Sequence, residues 1–174
     1  MRKELALIQR IIEEHKVIKK GMQALEQKAN DAEALMGLEQ AKEAFMPGRL
    51  EQKKSLQALQ ESLGAIEKGL QKHFDFEETG LPSVVGRYGD EEVKASLNSL
   101  FLEHKDLRSR MAHSKKHIAD LVSGNLSRQL WEASAHDMRA HISHTRKLLE
   151  AHAEIEQELL HQLQDQLQKE SKPA

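Results

Sequence analysis

The 174-residue sequence contains no cysteine, few aromatic residues, and little glycine or proline. Without cysteine, the chain cannot form disulfides, zinc fingers, iron–sulfur clusters or thiol-based active sites. Aromatic residues make up 3% of the chain, and there are nine glycines and three prolines. The remaining residues are dominated by leucine, alanine, glutamate, glutamine and lysine, which are strong helix formers. The composition therefore predicts an all-α protein.

The sequence also lacks an excess of charge of one sign. The formal net charge is −2, and acidic and basic residues are interspersed. No basic cluster indicates a nucleic-acid surface or a polybasic membrane anchor. No apolar run is long enough for a membrane span, and the N-terminus is unlike a signal peptide. We therefore expect a cytoplasmic protein without a nucleic-acid or membrane partner.

Glycine and proline mark breaks between segments of helical periodicity. The breaks are Pro47-Gly48, the segment Thr79–Asp90, which is expected to be a loop, and Ser123-Gly124-Asn125. The predicted helices run from about Lys3 to Met46, Arg49 to Glu78, Glu91 to Val122 and Leu126 to Lys169. The first helix could instead end near Asn30-Asp31 and be followed by a short extra helix. Short connections make consecutive helices antiparallel, so we predict an up-down-up-down four-helix bundle over residues 1–170, with a disordered tail at 171–174.

Four of the ten histidines occupy positions on the apolar stripes of these helices where leucine or isoleucine is expected. They are His15, His73, His104 and His152, one per helix. In antiparallel neighbours, residues equally distant from the connecting turn lie at the same height. Each consecutive pair is offset by only about one to two turns, at about 1.5 Å per residue. The four histidines are therefore predicted to meet in the core.

Two glutamates are placed to join them. Glu77 follows His73 by four residues, and Glu156 follows His152 by four, so both face inward with the histidines. An ionised glutamate in a core costs several kcal/mol unless it is paired or coordinated. Four histidines and two glutamates are too many for one tetrahedral zinc, but suit two first-row metal ions with bridging carboxylates. A single core histidine is commonly just hydrogen-bonded to a neighbour, but this explanation is much weaker for the whole set.

The other candidate residues have simpler expected roles. Glu14, Glu78 and Glu103 are expected to be solvated. The alternatives are that Glu78 is an extra metal ligand, or that these glutamates orient the histidines through hydrogen bonds. His141 is expected inside the bundle, three turns from His152 and too far to share its metal ions. His113 and His117 are expected to face solvent, where a second metal site would need an outside partner.

Several segments around these residues resemble the hemerythrin-like family, also called the HHE cation-binding domain. The strongest match is LQKHFDFEETGLP, Leu70 to Pro82, which is similar to the family's H-F-x-x-E-E motif. IIEEHKVIKKGMQAL around His15, FLEHKDLRSRM around His104 and HAEIEQELL from His152 resemble the motifs of the other helices. The resemblance covers nearly the whole chain and is closest to a bacterial-type His/Glu branch.

The resemblance implies two non-haem iron ions, with manganese or zinc in the same cage as alternatives. It further implies binding or sensing of O2, nitric oxide or peroxide, with a redox or signalling partner of unknown identity, rather than a dedicated enzyme. Arg108 stands where oxygen carriers have a further histidine, and Glu156 at +4 replaces their aspartate at +5. Reversible oxygen carriage is therefore disfavoured, and water, a carboxylate or Tyr88 is expected to complete the coordination. The alternatives are iron storage or delivery and a helical interaction module with a vestigial or structural metal site.

Overall fold

The computed structural model describes the backbone of residues 2–40, 50–123 and 125–170, and the side chains of 2–31, 54–123 and 125–170. These residues form four long helices: α1 (Arg2–Gln40), α2 (Leu50–Tyr88), α3 (Glu91–Ser123) and α4 (Arg128–Glu170). Each helix packs against the next, and α4 packs against α1. The prediction of an all-α four-helix bundle is confirmed.

The core contains two clusters of apolar side chains. The terminal cluster lies where α1 begins and α4 ends, and includes Ile8, Ile11, Leu81, Val85, Val93, Leu97, Leu160 and Leu163. The distal cluster lies toward the connection between α3 and α4, and includes Met22, Leu25, Leu59, Leu63, Met111, Ile118, Trp131 and Met138. Residues from the start of one helix and the end of the next share each cluster, as antiparallel neighbours must. The buried histidines and glutamates lie where the two clusters adjoin on each helix, whereas buried Ser114 and Thr145 lie within the distal cluster's stretch of α3 and α4.

The prediction of a loop over Thr79–Asp90 is wrong. Helix α2 continues to Tyr88 and contains Pro82. The apolar stripe continues through this segment, because Leu81, Val84 and Val85 are buried in the terminal cluster. Burial of these side chains compensates for the backbone hydrogen bond that proline cannot donate. Gly80 and Pro82 therefore do not mark the end of α2.

The real connection between α2 and α3 is Gly89-Asp90. The Gly89 amide donates to the Val85 carbonyl at 2.8 Å, and a Cβ on Gly89 would lie 2.7 Å from that same oxygen. Asp90 Oδ1 accepts from the Val93 amide at 2.9 Å and caps the start of α3. This tight turn fixes the heights of α2 and α3 relative to each other.

The remaining boundaries agree with the sequence where the structure describes them. Helix α1 passes through Asn30 and Asp31 to Gln40, so no separate short helix begins there. The α3–α4 connection falls at the predicted third break, and Ser127 Oγ accepts from the Leu130 amide near the start of α4. Pro47-Gly48 and the tail 171–174 lie outside the described residues. Among the described helices, none has a stretch long and apolar enough to cross a membrane.

Candidate metal centre

The structure brings all six predicted ligands together in the middle of the bundle. They are His15, His73, Glu77, His104, His152 and Glu156, and none is more than 8% exposed. They form two groups, in each of which the ligand atoms lie within 4.8 Å of one another. One group contains His15 and His73, the other contains His104 and His152, and both contain Glu77 and Glu156. A buried His/Glu cluster of this kind could hold metal ions.

The two shared glutamates lie between the two histidine pairs. Glu77 Oε1 is 2.5 Å from His73 Nε2 and 3.3 Å from His15 Nε2, whereas Glu77 Oε2 is 3.2 Å from His104 Nε2. The two oxygens of one carboxylate therefore face opposite pairs. This is the arrangement that a carboxylate needs to bridge two ions.

Glu156 completes the arrangement from the fourth helix. Its Oε2 atom is 3.2 Å from His15 Nε2 and 3.5 Å from His152 Nε2, one histidine from each pair. Neighbouring ligand atoms around an ion with bonds of about 2.1 Å lie roughly 3.0 Å apart in an octahedron and 3.4 Å apart in a tetrahedron. Most of the observed separations fall near this range, so the donor atoms already have spacings suited to coordination.

Three further carboxylates hold the histidine rings from outside. Glu14 Oε2 lies 2.8 Å from His73 Nδ1, and Glu103 Oε2 lies 2.6 Å from His152 Nδ1. Glu78 Oε1 lies 2.9 Å from His104 Nδ1. The prediction that these glutamates are merely solvated is wrong, although the alternative of hydrogen bonds to the histidines is confirmed. Each carboxylate supports a histidine of the next helix rather than one on its own helix.

These outer hydrogen bonds fix which nitrogen of each ring faces the centre. A carboxylate can only accept, so Nδ1 of His73, His104 and His152 carries the proton, and a neutral ring then presents the Nε2 lone pair inward. Those lone pairs point toward the oxygens of Glu77 and Glu156, which also carry lone pairs. Among the described residues, buried Glu77 Oε2 and Glu156 Oε2 each lie 3.2 Å from an imidazole nitrogen, so these oxygens gain a hydrogen bond from it only when that nitrogen carries the proton. Such a centre is stable only with cations, either protons or metal ions, between the donors.

The pKa values show where protons gather when no metal is present. Burial lowers the pKa of His15, but hydrogen bonds to Glu156 and Glu77 outweigh it and raise the pKa to about 9. Burial raises the pKa of Glu77, but hydrogen bonds with His104, His15 and His73 hold it well below its usual range. Burial raises the pKa of Glu156 despite its hydrogen bond with His15. The negative charge of the centre is therefore concentrated on Glu77.

The pKa values of His73 and His152, the two histidines held by Glu14 and Glu103, are shifted in opposite directions. Burial lowers the pKa of His73, but its hydrogen bond to Glu77 outweighs this effect and the net shift is upward. Burial lowers the pKa of His152, and its hydrogen bond to Glu103 does not compensate. A neutral imidazole is the metal-binding form, so His152 is prepared to act as a ligand.

Arg108 is part of the outer support of the centre. Its guanidinium donates to Glu78 Oε1 at 2.9 Å and to Asp75 Oδ1 at 3.0 Å. Hydrogen bonds with Arg108 and His104 lower the pKa of Glu78 against the effect of burial. Phe74 stacks on the His104 ring, with the centroids 3.9 Å apart. Together these contacts restrain His104 on both its edge and its face.

Other sequence candidates lie away from the centre. Tyr88 is half-buried at the end of α2 beside the terminal cluster, eleven residues and about 16 Å along the helix from Glu77. His141 is half-buried, and its Nε2 atom lies 3.2 Å from the Arg110 carbonyl. It therefore supports the core packing near α3 and is not a ligand of the six-residue cluster, as the sequence predicts.

A cavity of about 200 Å³ connects the centre with the surface. Its inner wall includes His15, His73 and His152, and exposed Lys16 and Lys19 lie at its outer part. Apolar side chains supply much of the rest of the wall: Ile12, Ile18, Met22, Leu70, Phe74 and Leu149. A small ligand could therefore reach the histidines without unfolding of the bundle.

Comparison of the chain with protein-family models, with curated proteins and with solved structures gives no match.

Proposed function

We propose that the protein binds two non-haem iron ions at this centre and uses them to bind or sense O2, nitric oxide or peroxide. The observation that carries the proposal is the sharing of Glu77 and Glu156 between two four-residue donor groups. One ion would be held by His15 and His73, and the other by His104 and His152. Both glutamates would contact both ions.

The donor set favours iron over several other metals. Calcium and magnesium prefer oxygen ligands, whereas four imidazoles and two carboxylates suit iron, manganese or zinc. Two histidines and two bridging glutamates per ion leave open positions on a six-coordinate iron, at which a small ligand can bind. The resemblance of the four helix motifs to hemerythrin-like proteins supports the same choice.

The surroundings of the centre suit a small, weakly polar ligand. When bound, ferrous ions supply electrons to an oxygen-containing ligand. The chain itself provides an open cavity of about 200 Å³ with a largely apolar wall, and it holds the rings of His73, His104 and His152 through carboxylates on Nδ1. Fixed rings beside such a cavity favour the binding of a small ligand at the centre.

The first test is the metal content and absorption spectrum of protein purified from iron-supplemented cells. We expect about two irons per chain, as two donor groups require. We also expect a near-ultraviolet charge-transfer band that bleaches on anaerobic reduction and returns in air. A folded helical protein that holds no iron after anaerobic reconstitution would refute the proposal. Retention of two ions without any response to air, nitric oxide or peroxide would favour a purely structural metal site.

A further inference from the structure

A second cluster of histidines lies between α3 and α4, toward the distal end of the bundle. The ring centroids of His113 and His141 are 4.8 Å apart, those of His113 and His117 are 4.5 Å apart, and those of His117 and His141 are 6.3 Å apart. His113 is exposed, but His117 is half-buried, so the prediction that both face solvent holds only for His113. A metal site at His113 and His117 was expected to need a ligand from another molecule, but His141 of the same chain lies beside both rings.

The helix register explains why these side chains meet. Helices α3 and α4 are antiparallel neighbours, and His113 and His141 are equally distant from position 127 in the connection between them. His117 and Asp137 are also equally distant from position 127. His113-x-x-x-His117 on α3 therefore lies opposite Asp137-x-x-x-His141 on α4. Residues four apart share a helical face, and the three histidine rings meet between the two helices, with exposed Asp137 one turn before His141.

The His113 ring lies within metal-binding range of both other rings, but the His117 and His141 centroids, 6.3 Å apart, must approach each other by about 1 Å to share one ion. With metal–nitrogen bonds of about 2.05 Å, three imidazoles around a tetrahedral zinc have ring centroids roughly 5.2 Å apart. The three observed separations lie on both sides of this value. His113 is the most exposed of the three rings, and it can reorient to direct a nitrogen toward the other two.

Two of the rings already have nitrogens suited to coordination. The Arg110 carbonyl can only accept, so His141 Nε2 donates to it at 3.2 Å and Nδ1 retains its lone pair. A metal-binding histidine is commonly oriented in this way, by donation from its other nitrogen to a backbone carbonyl. His117 Nδ1 is buried and has no hydrogen-bond partner. A metal ion would satisfy it.

Burial and neighbouring basic groups favour the neutral form of His117 and His141. Burial lowers the pKa of His117, and His113 and Lys116 add to this effect while Asp137 and Asp120 oppose it. Burial also lowers the pKa of His141, against its hydrogen bond to Arg110, and the positive charges of His113, Arg110 and His117 lower it further. Neutral imidazole is the form that binds metal.

We propose that His113, His117 and His141, with Asp137 as the fourth ligand, form a second site for a zinc-like divalent transition-metal ion. His113 is nine residues from His104 and His141 is eleven from His152. The site therefore lies about 14–16 Å along the bundle from the six-residue centre, at about 1.5 Å per residue. It does not depend on that centre, and it would tie α3 to α4 near their connection.

The test is titration with Zn²⁺ and Co²⁺, with isothermal calorimetry and the visible spectrum of bound Co²⁺ as readouts. We expect three ions per wild-type chain and two in His113→Ala/His117→Ala. Single His141→Ala should raise the Kd of the third ion by more than the about 10- to 100-fold cost of losing an outer hydrogen-bond partner. His161→Ala, which removes an exposed histidine elsewhere on α4, should change nothing.

The double variant Glu77→Gln/Glu156→Gln separates the two sites. It should lose the central ions and retain one ion with the spectrum of tetrahedral Co²⁺. Equal stoichiometry and affinity in wild-type protein and His113→Ala/His117→Ala would overturn the second site, whatever happens at the centre. If the glutamine variant fails to fold, the change in stoichiometry between wild-type protein and the histidine variants decides the question alone.

Discussion

Glu14 accepts a hydrogen bond at 2.8 Å from Nδ1 of His73, although Glu14 precedes a different core histidine in the sequence and His73 lies on the neighbouring helix. Glu103 and His152 repeat the same relationship between α3 and α4. Carboxylates on the outer nitrogen increase the basicity of the inner nitrogen and fix its direction. The outer glutamates therefore belong to the metal centre as much as the residues that face it.

We expect Glu14→Gln to weaken metal binding by about 10- to 100-fold at the ion held by His73, while leaving the fold intact. The amide keeps the size of the side chain but loses the charge that polarises the imidazole. Calorimetric titration with Fe²⁺ under anaerobic conditions measures the change. Glu13→Gln, one residue away and exposed, is the matched control and should bind iron as the wild-type protein does. Equal affinities in the two variants would show that the Glu14 hydrogen bond is unimportant.

Glu77 and Glu156 should behave differently when no metal is bound. Glu77 is ionised and contacts three histidines, so Glu77→Gln removes a buried ionic partner and should destabilise the metal-free protein by about 3 kcal/mol. Burial raises the pKa of Glu156, so Glu156→Gln removes a charge that the fold holds less strongly and should cost less stability than Glu77→Gln. Urea unfolding of chelator-treated protein measures both values. Both variants should bind less iron, and an equal loss of stability in the two would contradict the assignment of the charge to Glu77.

The stability of the metal-free protein should fall as the pH rises from 6.5 to 9. The pKa of His15 is about 9 in the folded protein, against about 6.5 in the unfolded chain. Its contribution to stability is therefore complete below pH 6.5 and is lost as the pH approaches 9. Urea midpoints measured across this range test the effect, and His15→Gln should flatten the dependence. Iron-loaded protein should not show it, because the metal ions replace the proton. A flat profile in the metal-free wild type would count against the high pKa.

Filling the cavity should slow ligand binding without removing iron. Ile12 is half-buried in the cavity wall, and Ile12→Trp would place a larger side chain in the route to His15. A side chain that obstructs the cavity raises the barrier to ligand entry, and a barrier higher by about 1.4 kcal/mol slows nitric oxide association about tenfold. Stopped-flow absorbance measures the rate, and Leu102→Trp, at an exposed position outside the cavity wall, is the control. An unchanged rate in Ile12→Trp would show that ligands enter elsewhere.

The positions of the six inward donors could be predicted because helical periodicity and short connections fix both direction and height. His73 and Glu77 need only a spacing of four and a stripe of leucines to be placed in the core. The outer carboxylates could not be assigned in the same way, because Glu14 and Glu103 lie at the edge of their helices. Whether such a side chain turns to solvent or to the next helix depends on the packing angle. The signal available in the sequence was the repeated Glu-His pair at Glu14-His15 and Glu103-His104.

The end of α2 could not be predicted from the local sequence, because packing contacts decide where this helix ends. Local signals at Gly80 and Pro82 favour a break, but the buried contacts of Leu81, Val84 and Val85 extend the helix to Tyr88. Tertiary packing outweighs the local preference for a turn there. The contact of His141 with His113 is not visible in the pattern of either helix alone, because it depends on the register of α3 against α4.

The outer hydrogen bonds give the centre an imperfect rotational symmetry. A carboxylate of α1 holds a histidine of α2, one of α2 holds a histidine of α3, and one of α3 holds a histidine of α4. No carboxylate of α4 holds His15 of α1, because His15 Nδ1 has no hydrogen-bond partner among the described residues. The position after Glu156 is Gln157, whereas the position after Glu77 is Glu78. Two ions bound at this centre would therefore be inequivalent, because His15 is the one central histidine whose outer nitrogen is not held by a carboxylate of the described residues. A difference of one residue, Gln157 on α4 where α2 has Glu78, thus breaks the two-fold symmetry of the centre.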